Sequence, residues 1–434
     1  MNSPFPPTAD CSGPQPAQKA RVRLAVIQPT PFCNIDCKYC YLPDRNARRR
    51  MSLETLEHAS RFLFEKPEYL EKKLVVVWHS GEPLATPIEF YEYAFAQMDK
   101  SSPKSITVEN WIQTNATLLN QNWCDFIKRR QVKIGVSIDG PEWLHNLNRV
   151  DRAGRGTFTN VLRGIELLKR NDIAFSTIGV LSSASLDFAE ELWRFYTALG
   201  VTSMAFNFED IEGVHPDSSL RGAACFSRAE SFFERLLHLR AEENPGVFIR
   251  ELDCLLDGAR DGAAEIPRID SIPLSIIGIA WNGDVSTFSP ELLGMHNPRY
   301  DMFSFGNVAT DTLNSVMTNP KLLAVDRDIQ AGIKQCRQSC EYFQLCGGGP
   351  PSSKLAQNGT FDSTETTACQ FRIKTVGKVV FEFLEKKHNL APQEGLGTRE
   401  RLVRLSSLAD DRLRRNCLEP SPGADPGRIM RDDS

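Results

Sequence analysis

Residues 33–40 read Cys33-Asn34-Ile35-Asp36-Cys37-Lys38-Tyr39-Cys40, three thiols on one short stretch with an aromatic ahead of the last. Thiolates at such spacing are metal ligands, and ligand type alone serves iron–sulfur chemistry and zinc equally. Three ligands on a 4Fe–4S cube leave one iron open to a small chelating molecule. Structural zinc is the alternative, but it asks for a fourth ligand. The nearest histidine, His58, lies 18 residues past Cys40 inside a predicted helix.

Working outward, β-rich runs alternate with amphipathic helical patterns. Strands are predicted near 21–28, 74–78, 106–112, 132–138, 173–180 and 201–207, and helices over 52–65, 87–99, 119–130, 158–170 and 186–199. Strands divided by helices in this way argue for βα units on a parallel sheet. Six units give an incomplete barrel, open on one side. Polar, glycine and cysteine residues fall just past nearly every strand, where βα barrels build their active sites. They are Cys33 to Cys40, His79-Ser80-Gly81-Glu82-Pro83, Gln113-Thr114-Asn115, Asp139-Gly140-Pro141, Ser182-Ser183 and Glu209-Asp210.

The chain has 434 residues and a net charge of −4, which gives no support for nucleic-acid binding. No apolar run approaches the roughly 18–20 residues of a membrane helix. The N-terminus lacks the pattern of a secretory signal, so a cytoplasmic, non-membrane protein is expected. Twelve cysteines in such a chain read as reduced thiols or metal ligands rather than a disulfide framework. Residues 1–20 read as a disordered leader, 21–245 as the barrel, 246–270 as a bridge, 271–388 as a cysteine-rich region ending in a helix over 370–388, and 389–434 as a largely disordered tail.

Cys33-x3-Cys37-x2-Cys40 after the first strand resembles the radical S-adenosylmethionine (SAM) superfamily motif, and Ser80-Gly81-Glu82-Pro83 resembles its glycine–glutamate motif after strand two. The resemblance implies a partial (β/α)6 barrel, a 4Fe–4S cluster binding SAM, and an external one-electron reductant. It places Tyr39 near the adenine, and Ser80, Gly81 and Glu82 at the SAM amino group. Gln113, Asn115 and Ser137 would line the SAM site, and Arg149 would hold the SAM carboxylate. For Arg149 a surface arginine in a basic loop is the competing reading.

A second group, Cys336, Cys340 and Cys346 followed by Cys369, falls in a stretch that reads as poor in helix. Four cysteines also bind zinc well. The surrounding sequence resembles the SPASM extension of peptide-modifying radical SAM enzymes, which implies an auxiliary 4Fe–4S cluster. Phe288 and Pro350 stand where the full extension carries ligands of a further cluster, so one auxiliary cluster is expected. Gly347-Gly348-Gly349-Pro350, Gln357-Asn358-Gly359-Thr360, Thr364-Glu365-Thr366 and Phe206 to Gly213 resemble the glycine-rich-repeat (GRRM) maturases, related to enzymes that form cyclophanes in ribosomal peptides.

That resemblance implies a precursor-peptide partner and a cross-link between an aromatic ring and a side-chain β-carbon. Thioether formation, epimerisation and sulfatase maturation are the alternatives. Cross-linking needs an acceptor for the ring proton, and Asp210, Glu209 and Asp253 are the candidates, although each also reads as an ordinary salt-bridged carboxylate. Oligomeric state is open from sequence.

Overall fold

The computed structural model describes residues 21–260, 268–390 and 397–406. The barrel strands are β1 (Val22–Ile27), β2 (Leu70–Trp78), β3 (Thr107–Thr114), β4 (Lys133–Ser137), β5 (Phe175–Leu181) and β6 (Ser203–Phe208). Between them run α1 (Leu53–Phe64), α2 (Ile88–Ser101), α3 (Gln121–Arg130), α4 (Glu142–Asn148), α5 (Phe158–Arg170) and α6 (Ala189–Ala198). The six strands pair in sequence order and all in parallel, the α/β arrangement expected.

Alternation along the strands sorts side chains to two faces. On β2, Leu74, Val76 and Trp78 join the large core under the helices. Val75 joins Leu24, Val26, Trp111, Ile269 and Ile276 in a small cluster on the opposite face. An aromatic seam closes the sheet against α2 and α3: Trp78 meets Tyr91 edge-on at 5.2 Å, and Tyr91 meets Trp123 at 5.4 Å. Local signals fix helix starts, since Ser52 caps α1 by accepting from the Thr55 amide and Asn120 caps α3 by accepting from the Trp123 amide.

Beyond residue 208 the structure adds to the expected scheme. A long helix, α7 (Ala223–Glu243), follows β6 and packs Phe232, Phe233, Leu236 and Leu237 into the core. The stretch read as a bridge holds a short strand, β7 (Phe248–Ile249), paired with the start of β6, and a helix, α8 (Arg250–Arg260). Residues 261–267 of that stretch lie outside the described residues. The later region does not stand apart from the barrel sheet. β8 (Ile276–Ile279) pairs in parallel with β1, and β9 (Asp284–Thr287) pairs antiparallel with β8.

The second cysteine region is also richer in helix than expected. Cys336 lies in the helix Pro320–Ser339, Cys346 ends the helix Phe343–Cys346, and Cys369 ends Thr367–Cys369. Interruption by Gly347-Gly348-Gly349-Pro350 masks this helical content in the sequence. The last helix over 370–388 is present as a π-helical turn, Gln370–Thr375, continued by Val376–Lys387. Within the stretch read as a disordered tail, Thr398–Ser406 is helical and buries Leu402 and Leu405. Residues 1–20 and 407–434 lie outside the described residues. Among the described residues no helix is long and apolar enough to cross a membrane.

Trp78 is fully buried and anchors the aromatic seam. Trp78→Ala is expected to lower the unfolding free energy by about 3–5 kcal/mol, measured by chemical denaturation.

Candidate active site

The C-terminal ends of β1 to β6 gather the chemistry at one mouth. The loop after β1 carries Cys33, Cys37 and Cys40 and is stapled at several points. Asp36 N–H donates to Val150 O at 2.7 Å and Lys38 N–H to Asn148 O at 3.0 Å. Arg152 donates to the carbonyls of Cys33 and Arg45, both at 2.6 Å from one nitrogen. The three thiols are close enough for their charges to repel. Burial first, then nearby negative charge, raises the Cys33 thiol, and burial pushes Cys37 up to about 12. Bare thiolates would be costly here, so a cationic group must accompany ionisation.

No three His, Cys, Asp or Glu side chains among the described residues are arranged to hold a single metal ion. A cube spreads its ligands wider than one ion does, and the trio on one braced loop fits it. Asn115 Nδ2 lies 3.8 Å from Cys33 Sγ, a further donor toward this group.

The turn after β2 packs directly under that loop. Gly81 has φ +138°, and a Cβ there would sit 2.1 Å from Thr30 O, so only glycine permits this approach. Glu82 is 1% exposed, and burial pushes its carboxyl up to about 7. Its Oε1 accepts from the Leu84 amide at 3.0 Å and the Thr114 hydroxyl at 2.6 Å, and its Oε2 from the Asn115 amide at 2.9 Å. Glu82 thus ties the ends of β2 and β3 together. Ser80 beside it is buried with φ +66°. Gln113 Nε2 donates to Ser137 Oγ at 2.9 Å across β3 and β4.

Tyr39 and Arg149 meet on Asp139, which the sequence placed just past the fourth strand without assigning it a role. Asp139 Oδ2 accepts from Tyr39 Oη at 2.5 Å, and Oδ1 accepts from Arg149 Nε and the Val180 amide, both at 2.9 Å. The Arg149 guanidinium stands 5.5 Å from the Tyr39 ring centroid and is buried, so it is no loop-surface arginine. Asp139 holds its charge in place, the guanidinium pKa being raised despite burial.

The proton-acceptor candidates separate cleanly. Glu209 accepts from the Ser219 amide at 2.9 Å and from the Ser219 hydroxyl, which pins the loop after β6. Asp253 accepts from Arg240 at 2.6 Å and the Ile249 amide at 2.7 Å. Since Ile249 pairs with Met204, Asp253 lies toward the N-terminal end of β6, away from the mouth. The sequence offers Asp253 as a candidate proton acceptor, but its ion pair with Arg240 of α7 holds it away from the mouth.

Asp210 remains at the mouth and is mostly buried. It accepts from Ser353 Oγ at 3.0 Å, from the Ile211 amide at 2.8 Å, and from Gln357 Nε2. Two further, partly buried carboxyls, Glu212 and Glu291, crowd it, with Arg372 the facing cation. Burial raises the pKa of all three acids. Glu291 escaped sequence reasoning because it is 81 residues distant from Asp210 and carries no motif. Glu212 lay inside a quoted stretch, but only its contact with Ser353 Oγ at 3.3 Å distinguishes it. Arg372 sits in the π-helical turn, a feature frequent at functional sites.

The four later cysteines also converge. Cys346 is lowered to about 6, by a hydrogen bond from the Cys369 thiol against the cost of burial, with Arg268 and the Gly348 and Gly349 amides assisting. Cys340 and Cys336 lie within electrostatic reach of Cys346. Phe288, which stands where the full extension carries a ligand, is fully buried in the core.

An open parallel βα barrel, with a three-thiol loop against a Gly-Glu turn at its mouth, defines an iron–sulfur enzyme architecture. Residues 27–202 match the radical SAM superfamily. The protein sll1766 of Synechocystis is 40% identical over 376 residues, covering 85% of this chain and 93% of that one. The cysteine-type anaerobic sulfatase-maturating enzyme of Clostridium perfringens is 30% identical over 332 residues, 73% of this chain and 85% of that one. A solved structure of native anSMEcpe with bound AdoMet and Cp18Cys peptide superposes with a TM-score of 0.70 at 21% identity, covering 85% of this chain and 99% of that one. The chain belongs to the radical SAM superfamily, and membership implies a 4Fe–4S cluster and SAM.

Asp139→Asn removes the carboxylate that pairs with buried Arg149 at 2.9 Å. We expect a loss of about 3–5 kcal/mol in unfolding free energy, read by chemical denaturation.

Proposed function

We propose that this enzyme modifies a ribosomally made precursor peptide, joining an aromatic ring to the β-carbon of a nearby side chain as a cyclophane. The supporting observation is the meeting of Asp210 with Ser353 and Gln357. The segments Phe206 to Gly213 and Gly347 to Thr360, whose sequences resemble the GRRM maturases, come together at one buried carboxylate beside the barrel mouth. The likeness to a structure that carries a bound peptide supports a peptide partner.

When bound, the first cluster and SAM supply a 5′-deoxyadenosyl radical that abstracts a hydrogen atom. The chain's own residues position and neutralise. Tyr39, Asp139 and Arg149 lock the cysteine loop against β4 and β5, with Arg149 the cation for a SAM carboxylate. Glu82, Asn115, Gln113 and Ser137 form the polar wall of the SAM site. A second 4Fe–4S cluster is proposed on Cys336, Cys340, Cys346 and Cys369. An open groove of about 600 Å³ beside the cysteine loop, lined by Leu42, Pro43, Ala47 and Val214 together with Asp44, Arg45 and Asn46, offers a mixed apolar and charged wall for the peptide.

Ring coupling releases one proton and one electron. Asp210 is the proton acceptor, and the electron would pass to the cluster proposed on Cys336, Cys340, Cys346 and Cys369. Burial raises its pKa, which makes it a stronger base than an exposed carboxylate. The sign follows directly: Asp210 must be ionised to accept, so product formed per deoxyadenosine falls as pH drops through that raised pKa.

A second reading, oxidation of a Cys or Ser side chain in a sulfatase, is favoured by the 30% identity to the Clostridium maturase. Anaerobic reconstitution with iron and sulfide, then SAM and dithionite, should release 5′-deoxyadenosine, and Cys33/Cys37/Cys40→Ala should release none. With a candidate precursor peptide, a product two hydrogens lighter whose fragments stay joined through an aromatic ring supports cross-linking. An aldehyde on a sulfatase peptide instead replaces it with the second reading. Asp210→Asn is expected to keep deoxyadenosine release and lose cross-linking by about 10²–10⁴-fold; full cross-linking in this variant removes Asp210 as the base.

A further inference from the structure

Lys354 presents an unusual balance of charge. It lies in the helix Pro351–Asn358 and is only 3% exposed. A buried ammonium is costly unless paired. Among the described residues, the partner of its Nζ is Cys336 Sγ, at 3.5 Å.

The other cations near these sulfurs are already engaged. Arg268 makes a two-pronged pair with Asp270, at 2.9 and 2.6 Å. Lys374 pairs with Glu365 at 2.8 Å and is partly exposed. Lys354 is therefore the cation that donates directly to the Cys336 sulfur, whereas Glu365, the carboxylate within reach of that sulfur, is engaged by Lys374. Its helix holds it there from the other side, because Ser353 and Gln357, one turn apart, are fastened to Asp210.

Hydrogen bonds to ligand sulfurs and net charge set the potential of an iron–sulfur cluster. A positive donor favours the reduced form, which carries one more negative charge, and so raises the potential. We propose that Lys354 is a positioning and tuning residue that holds up the reduction potential of the cluster on Cys336, Cys340, Cys346 and Cys369. This rests on the auxiliary-cluster reading above.

The test is an EPR-monitored redox titration of the reconstituted full chain, following the signal that persists unchanged when SAM is added. Lys354→Met should move that midpoint to more negative potential, while Lys354→Arg, which keeps the charge, should stay near wild type. An unchanged midpoint in Lys354→Met with full iron content overturns the proposal. If Lys354→Met fails to hold the cluster, Lys354→Gln takes its place, and a midpoint equal to that of Lys354→Arg overturns it. Iron analysis of the wild type separates the two claims. About eight irons per chain fit two cubes, whereas four irons with stoichiometric zinc overturn both the auxiliary cluster and the role of Lys354.

Discussion

The mouth of the barrel depends on a single carboxylate. Asp139 receives Tyr39 from the cysteine loop, Arg149 from beyond α4, and the Val180 amide from β5. Each partner alone is mobile or costly to bury. Together they fix a loop, a cation and two strands in one geometry. A charge-assisted network of this kind is strong only when every member is satisfied, and here the strand-end positions supply every member. The thiols of the first cysteine group owe their placement to it, because Tyr39 and Cys40 are neighbours on one turn.

The same economy recurs on the far side of the mouth. The loop after β6 is pressed onto the cysteine loop: the Val214 amide donates to Tyr41 O at 3.0 Å, and a Cβ on Gly213 would lie 2.1 Å from that oxygen. Glu209 locks the loop from behind, which leaves Asp210 and Glu212 turned toward Ser353 and Gln357. Three partly buried acids facing one arginine cannot all be ionised cheaply, and burial raises the pKa of each. Such a group is suited to exchanging protons and poorly suited to being mere structure. The helix Pro351–Asn358 links these acids to the second cysteine group, with Lys354 pointing to sulfur and its neighbours to carboxylate.

Much of the molecule was legible in the sequence because its signals are local. Short apolar runs such as Leu74 to Trp78 marked strands, and the spacing of Cys33, Cys37 and Cys40 marked a metal-ligand loop that its resemblance to the radical SAM motif made a cluster loop. Gly81 and Glu82 were legible for the same reason. Asp253 was not. Nothing in Arg250-Glu251-Leu252-Asp253 reveals that Arg240, on the preceding helix, draws its carboxylate to the N-terminal end of β6. The helical framework of the second cysteine region was hidden too, since Gly347 to Pro350 breaks the periodicity between its helices.

The sequence by itself determined the alternating βα order, the three-thiol loop, the Gly-Glu turn and the presence of four later cysteines, all properties of residues close along the chain. The tertiary structure alone decided which carboxylates share a space, that β8 continues the barrel sheet beside β1, and that Asp139 is the partner through which Tyr39 joins the cysteine loop to the sheet. Those outcomes depend on pairs such as Asp210 with Gln357, which lie 147 residues apart. Whether a buried charge finds its partner is settled by packing and desolvation, and no local pattern records it.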